Sequence, residues 1–563
     1  MGDVYEYLVD GSSGLTPGSV EGTALVAGVC SVGTVGKGYL MGPDSDVEDT
    51  LGVGPLADAM RDVLATAGQD AVVIAVPVTG QSGGYISNLA HTGTGPDAAI
   101  SGVAAANADV VVRIAASGAL GTATYELSLD GGDTYTDPAA TESDGQVTIS
   151  ATGTTLVLGA GDQVAGDTYS YVVRTPIGPI SKVGDGPSVS ASGDPLAAAQ
   201  VELVIVSGGG LNEGTYKLSV DGGDNYGSTK TIPLDGALAV GSTGVTITFA
   251  DDTYVTGDTY TFDVLAPVPT ITDVIDAIET PLELYDVEFV YVVGPSDSVD
   301  WAAVGVVADE LWDKHRPTFF KLETRMPYDD EDIDDWVAAL VEEQADFSHR
   351  FVQVIAAYGE VVDSSGYSKV RNWAGLQAGR VIGLSVQRAA GRVRDGGISQ
   401  GTLPDDYKSA HQSTLEDARY VTARTYAGLS SAYWGDSKTM AEDTSDYQYE
   451  PVLRTVFKAV RLGRKQALKS MYDEVGDALL GEDASGLAYL KANLEHGLDS
   501  MVAAIPQELA AYVVTIPAGQ DIVNNGVAVT YTLIGIPIIR KISLYARYVY
   551  AGSSFDPRME SEA

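Results

Sequence analysis

The spacing of apolar positions changes twice along this chain and divides it into three stretches. In the first, "GPLADAMRDVLATAG" (Gly54 to Gly68) places Leu56, Met60, Val63 and Leu64 on one face of a helix, and "DAVVIAVPV" follows as an apolar run of strand length. In the second, short alternating runs such as "YELSL", "VTISA" and "YSYVV" are separated by Gly-rich turns, the period-two pattern of half-buried strands. In the third, helix and strand alternate again: "ITDVIDAIE" and "VDWAAVGVVADELWDKH" read as helices, and "VEFVYVVGP", "PTFFKLET" and "FVQVIAAYG" as buried strands. The outer stretches predict an α/β layer and the middle one predicts small β-sandwiches. The expected class is α/β plus all-β, with the layer split in sequence by the β modules.

The middle stretch repeats itself. Tyr125 maps to Tyr216, Pro96 to Pro187, and "VAGDTY" (Val164 to Tyr169) to "VTGDTY" (Val255 to Tyr260), each 91 positions apart. A constant offset over the whole unit means tandem duplication. The modules are placed at 95–176 and 186–267, joined by "PIGPISKVGDG". Each carries an acidic turn, "SLDGGDTY" at Ser128 and "SVDGGDNY" at Ser219. Asp and Gly tolerate the positive φ of a tight hairpin, so turn chemistry alone accounts for the motif. Calcium is the competing reading, with Asp130 and Asp133, or Asp221 and Asp224, each supplying two carboxylates. The string also resembles the Asp-box of sialidase-type propellers, a structural hairpin staple.

Both chain ends read as strands. Near the N-terminus "VYEYLV", with Val4, Tyr5, Tyr7 and Leu8, precedes the flexible "DGSSGLTPGS". Near the C-terminus "IIRKISLYARYVYAG" alternates Ile542, Leu544, Ala546 and Tyr548 with Lys541, Ser543, Tyr545 and Arg547. Such strands belong either to the chain's own sheet or to exchange between subunits. A third feature lies in "EPVLRTVFKAVRLGRKQALKSMYDE". Arg454, Lys458, Arg461, Lys465 and Lys469 follow at helical spacing, with Leu453, Val456, Phe457, Val460, Leu468 and Met471 on the other face. The stripe is either a solvated face paired with nearby acids or a docking strip for an acidic partner.

Length and charge narrow the classes. At 563 residues the chain exceeds one core and should form roughly three or four domains. A net charge of −44 disfavours nucleic acid and anionic membrane partners. The single cysteine, Cys30, permits no intrachain disulfide and no structural zinc site of cysteines. No export signal or membrane-spanning run is expected. The histidines at 91, 315, 349, 411 and 496 have no metal-binding spacing. There is no nucleophile elbow and no phosphate loop, and the acidic "YDDEDIDDW" reads as a solvated helix start. No enzyme, cofactor or metal site is expected.

Together these segments resemble the contractile tail sheath proteins of myovirus-type phages and related injection particles. The resemblance rests on "ALVAGVCSVGTVGKGYLMGPDSDVEDTLGVGPLADAMRDVL" and on the closing "GLAYLKANLEHGLDSMVAAIPQELAAYVVTIPAGQDIVNNGVAVTYTLIGIPIIRKISLYARYVYAG". It covers about residues 1–90 and 268–555. It implies a tail-sheath-like α/β core split by two tandem small β-sandwich insertions, with strand-forming N- and C-terminal arms. The expected parts are an N-terminal arm and tether (1–20), sheath core (21–94 and 268–400), the two modules, a tube-proximal C-terminal domain (401–537) and a C-terminal arm (538–563). It further implies a homo-oligomeric helical sheath around an inner tail tube, with baseplate and tail terminator proteins as partners. Nucleic acid and direct membrane insertion are not implied. The implied location is the virion tail, after assembly in the host cytoplasm. In this setting the basic stripe is expected to face the tube. A surface adhesin with carbohydrate-binding β repeats is the alternative.

Overall fold

The computed structural model describes residues 20–553, apart from 82–83, 88, 329–330 and 363–366, together with residue 558. A six-stranded sheet forms the centre of the molecule. Its members are β1 (Ala24–Val29), β2 (Tyr39–Met41), β3 (Val73–Val78), β4 (Phe289–Pro295), β5 (Phe319–Glu323) and β6 (Val352–Ile355), in the order β2-β3-β1-β4-β5-β6. All neighbours are parallel except β2 and β3. β1 and β3 are buried along their whole length, which is why both read as unbroken apolar runs.

Helices cover the sheet: α1 (Pro55–Ala67), α2 (Ile271–Leu284), α3 (Ser298–Asp313), α4 (Ile333–Gln344) and α5 (Ala374–Ile382). Leu56, Met60 and Val63 of α1 are fully buried, and Leu64 packs at the margin. α1 and α5 approach very closely, since a Cβ on Gly379 would lie 2.2 Å from the Val63 carbonyl oxygen. The acidic run ahead of α4 is a helix start: Asp332 caps it by accepting from the Asp334 N–H, and Glu331 pairs with Arg325 at 2.6 Å.

Between β3 and β4 the chain builds two further cores. Around the first, strands 108–116, 124–128, 139–140 and 168–174 form a sheet facing a second one of 98–102, 146–149 and 154–158. Val112, Ile149, Leu156 and Tyr169 fill the space between them. Around the second core the strands recur 91 residues later, as in Ala108–Ala116 and Ala199–Ser207. The staples recur too. The hydroxyl of Tyr169 donates to the Pro96 carbonyl at 2.6 Å, and that of Tyr260 to the Pro187 carbonyl at 2.6 Å.

Strand pairing and packing cross two of the expected bounds. Ala90–Thr92 pairs with 168–174 and Ser181–Val183 pairs with 259–264, so each module begins before 95 or 186 and the supposed link contributes a strand. A strand of three residues is too short a run for alternation to register. The central core also extends past 400. Tyr407 packs on Trp336 and Tyr358, Trp434 on Trp373, and the same cluster includes Leu453 and Phe457. A separate C-terminal core begins only at Ala459, inside α6 (Glu450–Ala467). It includes α7 (Ser485–Val502) and the hairpin β7 (Leu509–Thr515) and β8 (Thr530–Gly535). Finally, 536–550 carries no secondary structure, because a strand exists only against a partner and none of the described residues pairs with it as a strand.

Candidate functional site: the assembly surface

The basic stripe divides along α6. Arg454 is 1% exposed, so it forms no part of an outward strip. Its guanidinium donates to both carboxylate oxygens of Glu288, at 2.6 and 3.0 Å, and to the Leu384 carbonyl at 3.2 Å. Arg461 is also turned inward, donating to the carbonyls of Val287 and Pro317 with Asp286 nearby at 3.6 Å. Lys458 donates to Glu508 at 2.8 Å. Only Lys465 and Lys469, with Arg464 beside them, are exposed. The first half of α6 is sandwiched: Arg454 and Arg461 meet the residues just ahead of β4 and β5, Lys458 meets Glu508, and Leu453 and Phe457 are buried as well.

A charged joint therefore fixes α6 to the sheet. Lys321 of β5 donates to Gln353 at 2.5 Å, to Gln377 at 2.8 Å and to Glu450 at 3.2 Å. Lys321, Glu450, Arg454 and Glu288 are each at most 2% exposed. Burial pushes the Lys321 ammonium down to about 8, against the pull of Glu450. Burial alone would raise the Glu288 carboxyl. The Arg454 guanidinium and the Gly22 N–H, which donates to it at 2.7 Å, reverse that and hold it below the usual carboxylate range. Nothing in the local pattern marks Glu288 or Glu450. Lys321 does carry a signal, as a lone ammonium inside the apolar run "FFKL" that must find an acid if buried.

The chain-end residues fall in two groups. Val4, Tyr5, Tyr7 and Leu8 lie outside the described residues. Ile542, Leu544 and Tyr548 are 73%, 90% and 80% exposed, and Ala546 is exposed with them. They follow directly on the hairpin of β7 and β8, whose strands pair only with each other among the described residues. One face of that hairpin packs on α6 and α7 through Leu509 and Val514. Both of its edges are unpaired among the described residues.

The acidic turns are closed on themselves. The Ser128 hydroxyl donates to Asp130 at 2.6 Å, and the Thr134 N–H and hydroxyl donate to the same carboxylate. These bonds hold the Asp130 carboxyl down at about 2. Asp221 repeats the arrangement with Ser219 and Asn225. Asp133 and Asp224 point to solvent. Among the described residues no group of three or more His, Cys, Asp or Glu side chains gathers in a way that would hold a metal ion. Among them, too, no helix is long and apolar enough to cross a membrane.

Two family matches divide the chain at a similar place. DUF2586, N-terminal domain, matches residues 1–438, and DUF2586, C-terminal domain, matches 446–553. A search of curated proteins found no match. Among solved structures, the sheath tail protein of Desulfitobacterium hafniense aligns at 12% identity and a TM-score of 0.41, covering 95% of this chain and 100% of that one. A sheath tail protein of Listeria innocua aligns at 10% identity and a TM-score of 0.39, covering 93% and 97%. The contracted helical sheath of the anti-feeding prophage aligns at 18% identity and a TM-score of 0.36, covering 52% and 78%.

Proposed function

The chain belongs to the DUF2586 family, and from that premise we propose that it is the structural subunit of a contractile tail sheath. It polymerises as stacked rings around an inner tail tube and contracts to drive that tube through the target cell envelope. The observation that carries this reading is the C-terminal end. A segment with exposed Ile542, Leu544 and Tyr548 follows a hairpin whose two edges are open among the described residues. Burying one such side chain contributes about 1.5–3 kcal/mol, and an added strand satisfies the open backbone groups. A second copy of the chain supplies both the segment and the edge. Nothing in this role requires catalysis.

The remaining parts take their places in the same scheme. Residues 1–20 act as a second linking arm, and the two β modules are insertions on the outside of a sheath core. The exposed end of α6, with Arg464, Lys465 and Lys469 next to Leu468, Met471 and Tyr472, faces the inner tube. In a chain of net charge −44, a basic apolar patch suits an acidic partner surface. Baseplate and tail terminator proteins cap the polymer, which is assembled in the host cytoplasm and carried on the virion tail.

Negative-stain electron microscopy tests the proposal. Full-length protein should form long hollow tubes, alone or on added tube protein. A version lacking Met1 to Leu15 and Ile538 to Ala563 should remain dispersed. Tubes of equal length from both proteins would remove the arms from the assembly, and dispersed particles from both, with tube protein present, would remove the sheath reading.

A further inference from the structure

The segment that ends in the exposed apolar residues is held to the body at a defined place. Arg540 donates through Nε to Asp436 at 2.6 Å, and its guanidinium carbon lies 3.6 Å from the centre of the Tyr449 ring. A planar guanidinium can lie on an aromatic face while its edge pairs with a carboxylate, which an ammonium cannot imitate. The platform beneath it is rigid. Tyr449 immediately precedes α6 and forms a bridge with Lys438, and the Glu450 N–H donates to the Ser437 carbonyl at 2.9 Å. Glu450 itself is locked to Lys321 in the centre of the sheet.

The other chain end reaches the same helix. The Gly22 N–H donates to Glu288, and Glu288 holds Arg454, one turn into α6. Gly22 and Arg540 are thus both tied to the N-terminal half of one helix, which is in turn pinned to the sheet by buried charge.

Resting on the sheath reading above, we infer that Arg540 is the root of the C-terminal arm. With Asp436 and Tyr449 it fixes the direction in which residues 541–550 leave the body toward a second copy. It brings that arm onto the same rigid support that Gly22 reaches through Glu288. An arm pre-aimed by its root loses less freedom on docking than one that swings.

The test places spin labels on cysteines at Ser409 and Ser543 of the full chain, in a Cys30→Ser background, and reads the distance distribution between them. Both positions are exposed, and Ser409 begins a helix. The parent should give a narrow distribution. Arg540→Ala should broaden it without changing the melting temperature, and Arg540→Lys should fall between. In unlabelled protein, Arg540→Ala should raise the concentration needed for tube formation by about tenfold. An unchanged distribution overturns the inference, as does a broadened one with undiminished assembly. If the parent forms no tubes even with tube protein present, the failure belongs to the sheath reading, and the distribution alone decides whether Arg540 is the root.

Discussion

Replacing Arg454 with Met separates the sequence pattern of α6 from its packing. In the structure Arg454 neutralises a fully buried Glu288, so the substitution strands a buried carboxylate without its ion-pair partner and frees the Leu384 carbonyl. Breaking a buried pair by removing one partner costs about 3–5 kcal/mol. The Gly22 N–H still donates to Glu288, which places the cost toward the lower end. Lys465→Met, on the exposed part of the same stripe, should change stability by less than about 0.5 kcal/mol. The double replacement Glu288→Leu with Arg454→Met removes the stranded charge and leaves only neutral groups unpaired, at about 1–3 kcal/mol each. It should therefore recover part of the loss.

Urea unfolding followed by tryptophan fluorescence suits the measurement. The five tryptophans are Trp301, Trp312, Trp336, Trp373 and Trp434, and all belong to the central core or pack against it, so the signal is blind to the β modules. The acid limb supplies a second readout. Glu288 titrates in the folded protein below its ordinary 4.5, so its contribution is present above that value and is lost as pH falls through the lower, folded one. That loss should vanish in Arg454→Met. A single substitution costing under about 1 kcal/mol, no more than Lys465→Met, would refute the reasoning and return Arg454 to a solvated face.

The other predictions concern the exposed end of the stripe, a buried acid and the repeated turns. Lys465→Glu with Lys469→Glu should leave the unfolding midpoint of the free subunit unchanged and weaken tube-templated assembly in a salt-dependent way, which co-sedimentation with tube protein would read. Burial pushes Glu323 from an ordinary 4.5 up to about 7, with the Tyr291 hydroxyl donating to it. Between those values the folded state holds the extra proton, so stability should fall as pH rises, by at most about 1.4 kcal/mol per pH unit, and Glu323→Gln should flatten that slope. Asp221→Ala should lower the melting temperature of the second module by removing the acceptor for the Asn225 N–H, whereas calcium and chelator should both leave the parent unmoved.

What the sequence discloses depends on whether a signal is local. The face of α1 and the continuous strands β1 and β3 are legible because each is written within a dozen neighbouring residues. The offset of 91 is legible because Asp, Gly and Tyr at turns and staples are fixed by backbone geometry and stand out against freely varying strands. The edges of elements are another matter. Ser181–Val183 is a strand by virtue of the register that 259–264 offers it, and nothing in its three residues announces this. Tyr407 and Trp434 join the central core through aromatic contacts that follow no helical or strand period. The basic stripe shows the limit most clearly. Periodicity identifies the helix, but a charged face looks the same whether it meets water or a buried acid, and the deciding Glu288 lies 166 residues away.

The central sheet has the parallel order that elsewhere places ligands at the carboxyl ends of its strands, beside the strand where chain order reverses. Here that strand is β1, with β3 on one side and β4 on the other. A Cβ on Gly28 would lie 2.9 Å from the Val293 Cβ, and one on Gly54 would lie 3.0 Å from the carbonyl oxygen of Leu196 in the second module. The chain thus packs tightly against itself at Gly28 and Gly54. Its buried charges sit instead at joints. Arg371 pairs with Asp62 where the hairpin of 358–372 meets α1, and Lys321, Glu450, Arg454 and Glu288 pair where α6 meets the sheet. An apolar joint can slide by a turn and still bury its area, whereas sliding α6 would strand Glu288 and Lys321 together, at several kcal/mol. Paired burial therefore makes α6 and the sheet one rigid piece, the support on which the proposed arm root at Arg540 would stand.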